Sequence, residues 1–119
     1  MSVLLASSDL AIVSLATGAA GRQQVELQVA MSAAALAAAL EAKTFKLVIF
    51  DLGLASLDVT QAMQQLRQSP SCEAATIAFG PHVQESLLAA ARSAGCNRIL
   101  SRGQFLAQIG EILEGARGE

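Results

Sequence analysis

Leu47-Val48-Ile49-Phe50-Asp51 is a short apolar run closed by a carboxylate, and its reading decides the fold. A run this short, with β-branched and aromatic side chains and no polar alternation, marks a strand covered on both faces. Val3-Leu4-Leu5-Ala6 and Ala75-Thr76-Ile77-Ala78-Phe79 have the same character, and Ile99-Leu100 is a weaker fourth case. Gln24-Val25-Glu26-Leu27-Gln28-Val29 differs, because polar and apolar residues alternate along it. One face of that strand should be wet, which predicts an edge position.

Helical spacing fills the intervals. The first helix is expected from Asp9 to about Thr17, ending near Gly18, with Gly18-Ala19-Ala20-Gly21 as a turn. That glycine pair follows a helix rather than a strand, so it does not read as a phosphate-binding loop. Leu36 and Leu40 share a face of an alanine-rich helix for which Ser32 is a suitable N-cap. Val59, Met63 and Leu66 form the next stripe, with Ser56 or Asp58 available to its first turn. Val83, Leu87, Leu88, Ala91 and Ala94 form another, with Gly95 placed as a left-handed C-cap residue. Phe105, Ile109, Ile112 and Leu113 make the last, and the tail from Gly115 to Glu119 is expected to fray.

Five strands alternating with five helices predict an α/β fold, a parallel sheet with helices on both faces. Right-handed crossovers and an edge second strand favour the order 2-1-3-4-5. The expected architecture is a flavodoxin-like three-layer α/β/α sandwich with a five-stranded parallel sheet. One domain, residues 1–119, accommodates the whole chain.

Composition narrows the function classes. Hydrophobic residues make up 53% of the chain and charged residues 15%, which speaks against disorder. Tyr and Trp are absent, so the core must come from aliphatic residues and four Phe. The net charge of -2 is scattered, and no basic face suggests a nucleic-acid partner. Cys72 and Cys96 lack metal-ligand spacing and read as reduced thiols. Met1-Ser2 leads straight into apolar residues without a basic leader, and no apolar run approaches the roughly 18 residues of a membrane span. A cytoplasmic protein with no membrane partner is expected.

In an open parallel sheet, ligands sit at the carboxyl ends of the strands, where the strand order reverses. That rule selects Ser7, Ser8 and Asp9 after the first strand, and Asp51, Gly53 and Leu54 after the third. It also selects Gly80, Pro81 and His82 after the fourth strand, with Ser101 and Arg102 after the fifth.

The element order, Phe50-Asp51 closing the third strand, Ala94-Gly95-Cys96 before the fifth and Ile99-Leu100-Ser101-Arg102 within it together resemble the receiver domain of response regulators in two-component signalling. The resemblance spans essentially the whole chain and rests on order and spacing rather than on one motif. It implies that Asp51 stands at the phosphoacceptor position. Receivers hold a magnesium ion there with an acidic pair after the first strand, and a hard octahedral ion wants charged oxygen ligands. Here the pair is Ser7 and Ser8, with Asp9 next in line. The Thr or Ser that follows the phosphoryl group is Gly80. The clamping lysine is Arg102, the proline after it is Gly103, and the aromatic switch residue is Ile99.

Together these departures imply a pseudo-receiver: not an enzyme, with no catalytic residue, no metal and no cofactor, and with Asp51 vestigial. The expected role is a phosphorylation-independent docking or regulatory module that binds a protein partner or forms a homodimer. By the same resemblance, the interaction face would include Arg92, Arg98, Gln104, Gln108 and Glu111, although ordinary solvation accounts for those side chains equally well. Two alternatives stay open. One is a phospho-accepting receiver using Asp51. The other is a small-anion or hydrolytic site on the rim, drawing on Arg102, the serines and His82; no G-x-S-x-G elbow supports the hydrolytic version.

Overall fold

A computed structural model of the chain describes residues 2–117. The elements run β1 (Ser2–Ala6), α1 (Leu10–Gln23), β2 (Glu26–Ala30), α2 (Ala33–Ala42), β3 (Leu47–Asp51), α3 (Val59–Arg67), β4 (Ala75–Gly80), α4 (Glu85–Ser93), β5 (Arg98–Ser101) and α5 (Arg102–Arg117). All five strands are parallel and lie in the order β2-β1-β3-β4-β5. The flavodoxin-like three-layer sandwich expected from the alternation is the observed one.

Period-two alternation sorts each strand's side chains into two cores. Leu4, Ala6, Val48, Phe50 and Ala78 face α2, α3 and α4, where they meet Leu36, Leu40, Met63, Leu66 and Leu88. Val3, Leu5, Leu47, Ile49, Ile77, Phe79 and Leu100 face α1 and α5, where they meet Ile12, Ala16, Phe105, Ile109 and Leu113. The rings of Phe79 and Phe105 stack with centroids 4.1 Å apart and planes inclined by 5°. At the sheet edge, β2 alternates as expected: Glu26 and Gln28 are exposed, while Leu27 and Val29 are half-buried.

Several boundaries differ from the sequence reading. Helix α1 does not stop near Gly18 but continues through both glycines to Gln23, so the predicted turn at 18–21 is helical. Two solvent-facing glycines each cost about 1 kcal/mol relative to alanine. Ala16, Ala19 and Ala20 are buried on the opposite face, and that packing prevails. The helix ends instead at Gln24, left-handed with φ 58°, a residue the alternation had placed in the edge strand.

Val83 is 78% exposed and precedes α4, so it does not belong to that helix's apolar stripe. Gly95 does take the left-handed conformation expected of it, with φ 97°. Arg67 donates to the Ala94 carbonyl beside it. The tail is ordered further than expected: α5 runs to Arg117 and Ala116 is buried in the α1–α5 core. The rest of the predicted frayed segment, 118–119, lies outside the described residues. Among the described residues no helix is long and apolar enough to cross a membrane.

The cysteines stand apart. Cys72 is exposed and Cys96 buried, both as free thiols. Burial is the main reason that the Cys96 thiol is pushed up to about 11, so it is protonated at neutral pH.

Candidate functional site

The strand ends converge on a cleft of about 290 Å³ lined by Ser8, Asp9, Asp51, Gly53, Phe79, Gly80, Pro81 and Arg102. Its floor is Asp51, the last residue of β3 and only 6% exposed. A buried carboxylate needs donors to replace water. Ser7, itself 0% exposed, donates its hydroxyl to Asp51 Oδ2 at 2.7 Å, and the Gly53 N–H donates to Oδ1 at 2.9 Å. The Ser7 oxygen in turn accepts the Asp9 N–H at 3.2 Å. The serine standing where an acid was expected is therefore a positioned donor to the remaining one.

Asp9 does not swing inward. Its Oδ1 accepts the N–H groups of Ala11 at 3.0 Å and Ile12 at 3.3 Å, capping α1. Its Oδ2 accepts Arg102 Nη1 at 2.7 Å. This Arg102 hydrogen bond, followed by that of the Ile12 N–H, holds the Asp9 carboxyl below its ordinary value of 3.8. A lowered folded pKa contributes stability above the unfolded value and loses it as pH falls through the folded one. Wild type is accordingly expected to exceed Asp9→Asn in urea midpoint down to about pH 4 and to converge with it below that. Asn still caps the helix, so a gap unchanged into strong acid would mean that the ion pair is not its source.

The fifth strand hands over to α5 through a reciprocal cap. Ser101 Oγ accepts the Gln104 N–H at 3.1 Å, and Gln104 Oε1 accepts the Ser101 N–H at 2.9 Å. This capping box fixes the chain direction at Arg102. The sequence reading missed it, although Ser101-Arg102-Gly103-Gln104 carries the signature spacing. Gln104 is exposed, and its Oε1 is engaged by the backbone in this cap. On that face, Arg98 donates to Gln108 Oε1 at 2.7 Å, while Arg92 and Glu111 are exposed.

Ser7, Ser8, Asp9, Asp51, Gly80 and Arg102 are thus brought together, and His82 is not. His82 is exposed on the turn before α4 and does not line the cleft. A hydrolytic pairing of His82 with the rim serines has no support in this arrangement.

Gly80 hides a second change that the sequence reading did not reveal. A Cβ placed there would come within 3.2 Å of Leu52 Cβ, so Leu52 fills the space a side chain at 80 would need. Gly80→Thr is expected to cost about 1–3 kcal/mol by overpacking. In a Leu52→Ala background the same substitution should cost measurably less, as urea titration of the two pairs would show. Equal costs in both backgrounds would refute the steric account.

The fit to a magnesium ion can be tested from the donors themselves. Asp51 is the one carboxylate at the floor. Both Asp9 oxygens are committed elsewhere, and the Ser7 proton points to Asp51. Among the described residues, no three His, Cys, Asp or Glu side chains come together as a metal-binding group. A hard octahedral cation would find one available charge and neutral oxygens, which is a poor set. The residues do not fit the ion.

With this geometry established, comparison with known structures identifies the fold. The receiver domain of a sensor histidine kinase from Pseudomonas aeruginosa PAO1, crystallised with magnesium in its active-site cleft, matches with a TM-score of 0.82 at 16% identity, over 99% of this chain and 98% of that one. A CheY-like receiver domain from Methanospirillum hungatei JF-1 matches at 0.77 and 18% identity, over 98% and 96%. A beryllofluoride-activated receiver domain solved as a dimer matches at 0.75 and 15% identity, over 97% and 98%. No family model and no curated protein sequence matches this chain. The fold is that of response-regulator receiver domains, with Asp51 closing the central strand as the sequence resemblance implied.

Proposed function

We propose that this chain is a phosphorylation-independent pseudo-receiver: a docking or regulatory module of the cytoplasm, not an enzyme. The observation that carries this reading is the bond between Ser7 and Asp51. A hydroxyl donating to the phosphoacceptor occupies the position where a second carboxylate would help to hold a cation. Phosphoryl transfer depends almost wholly on positioned charge, and this cleft supplies little that is free to act. The face of α4, β5 and α5, with exposed Arg92, Arg98 and Glu111, supports contact with a protein partner or a second copy.

The retained, buried Asp51 favours one other reading, a genuine phospho-accepting receiver. The two are separated by incubating the protein with magnesium and acetyl phosphate, then measuring intact mass. The docking reading expects no added phosphoryl group. Stoichiometric incorporation that disappears in Asp51→Asn would establish the phospho-accepting one.

A further inference from the structure

The cleft lacks an inorganic cation's ligands but holds an organic cation of its own. We propose that Arg102, tethered by Asp9, is the resident cation of the cleft and acts as a specificity determinant that keeps divalent metal ions away from Asp51. The proposal rests on the docking reading and deepens it, because it adds to the poor donor set around Asp51 a fixed positive charge that disfavours a divalent ion there.

Three observations support it. First, Arg102 and Asp51 line the same cleft, yet Arg102 is bonded to Asp9. Among the described residues Asp51 takes part in no ion pair. The cleft therefore carries two carboxylates and one guanidinium, a net charge of about -1, whereas without Arg102 it would carry about -2. A doubly charged ion gains most from that difference, because its interaction with each fixed charge is doubled.

Second, the Asp9–Arg102 contact joins the β1–α1 corner to the first residue of α5, across 93 positions of sequence. Arg102 is held there at both ends. The Ser101–Gln104 capping box sets its backbone, and the 2.7 Å bond sets its guanidinium. A planar fork of fixed donors is better held by a carboxylate than a flexible ammonium would be.

Third, the pair is partly exposed, with side-chain accessibilities of 44% for Arg102 and 31% for Asp9. Ion pairs this open to water contribute little to stability. Its main physical consequence is the charge and occupancy of the cleft.

The experiment is a Mn²⁺ titration of wild type and Arg102→Gln, read by paramagnetic broadening of the Ser8 and Gly53 amide signals. Glutamine keeps an aliphatic stem with a polar head and removes the charge, and thermal melts establish that the variant is folded. Arg102→Gln is expected to bind Mn²⁺ at least about tenfold more tightly than wild type. Adding Asp51→Asn should abolish the gain. Affinities of wild type and Arg102→Gln that agree within about twofold would overturn the proposal. So would a gain that survives Asp51→Asn. The two readings fail separately: phosphoryl incorporation by wild type sinks the docking reading, whereas equal Mn²⁺ affinities sink this one.

Discussion

Phe105→Ala is expected to be among the most damaging single substitutions in the chain, lowering stability by about 3–5 kcal/mol. The ring is fully buried and stacked on Phe79, and it anchors the first turn of α5 to the sheet. Alanine would leave a cavity between α5 and β4 that the neighbouring rigid elements cannot fill by collapse. A domain of this kind has roughly 5–15 kcal/mol of total stability, so the loss would be a large fraction of it. The effect should reach the functional rim as well, because Arg102 lies three residues before Phe105 on the same helix. Guanidinium titration should show a lower midpoint with little change in slope. Phe105→Leu, which keeps most of the volume, should cost clearly less. A loss below about 1 kcal/mol for the alanine variant would be inconsistent with the packing described.

Ser7→Ala should have the second largest effect, about 2 kcal/mol, out of proportion to the loss of one oxygen atom. The hydroxyl is one of two donors to a nearly buried carboxylate, and hydrogen bonds to charged groups are stronger than neutral ones. Removing it leaves Asp51 with the Gly53 N–H alone, while the buried carboxylate still pays its desolvation cost. The paired variant Ser7→Ala/Asp51→Asn should regain part of the loss, because the neutral amide tolerates a missing donor better. Equilibrium unfolding of the four proteins gives the coupling directly. Additive losses would mean that the Ser7–Asp51 bond does not hold the site together, which would remove the main support for reading Ser7 as a structural replacement for an acid.

These two predictions lie on opposite sides of what the sequence makes legible. The burial of Phe105 can be read from spacing, because Phe105, Ile109, Ile112 and Leu113 recur with the helical period. The bond from Ser7 to Asp51 cannot, because the two residues are 44 positions apart and neither has a local pattern that names the other. The same contrast holds on the rim. Gly95 in the left-handed region follows from its place after an apolar stripe. The approach of Leu52 beneath Gly80 depends on the pairing of β3 with β4, and nothing in a linear reading shows it.

Where the local signals misled, tertiary packing outweighed propensity. Gly18 and Gly21 suggested a helix end, but burial of Ala16, Ala19 and Ala20 carried α1 past both. Val83 matched a helical period without being in the helix, since period alone carries no information about where the first turn begins.

By itself, the sequence determined the number, type and order of the elements and that the second strand lies at an edge of the sheet. Those follow from periodicity, a property of neighbouring residues. It also pointed to Ser8, Asp9, Asp51, Gly53, Gly80 and Arg102, which line the cleft, because a parallel sheet delivers the residues after each strand to one edge. Only the tertiary structure decided what those residues do to one another: that Asp9 turns to Arg102, that Ser7 serves Asp51, and that His82 stands aside. The physical reason is range. Hydrogen bonds and ion pairs act over a few ångströms between groups that only the folded sheet brings within reach.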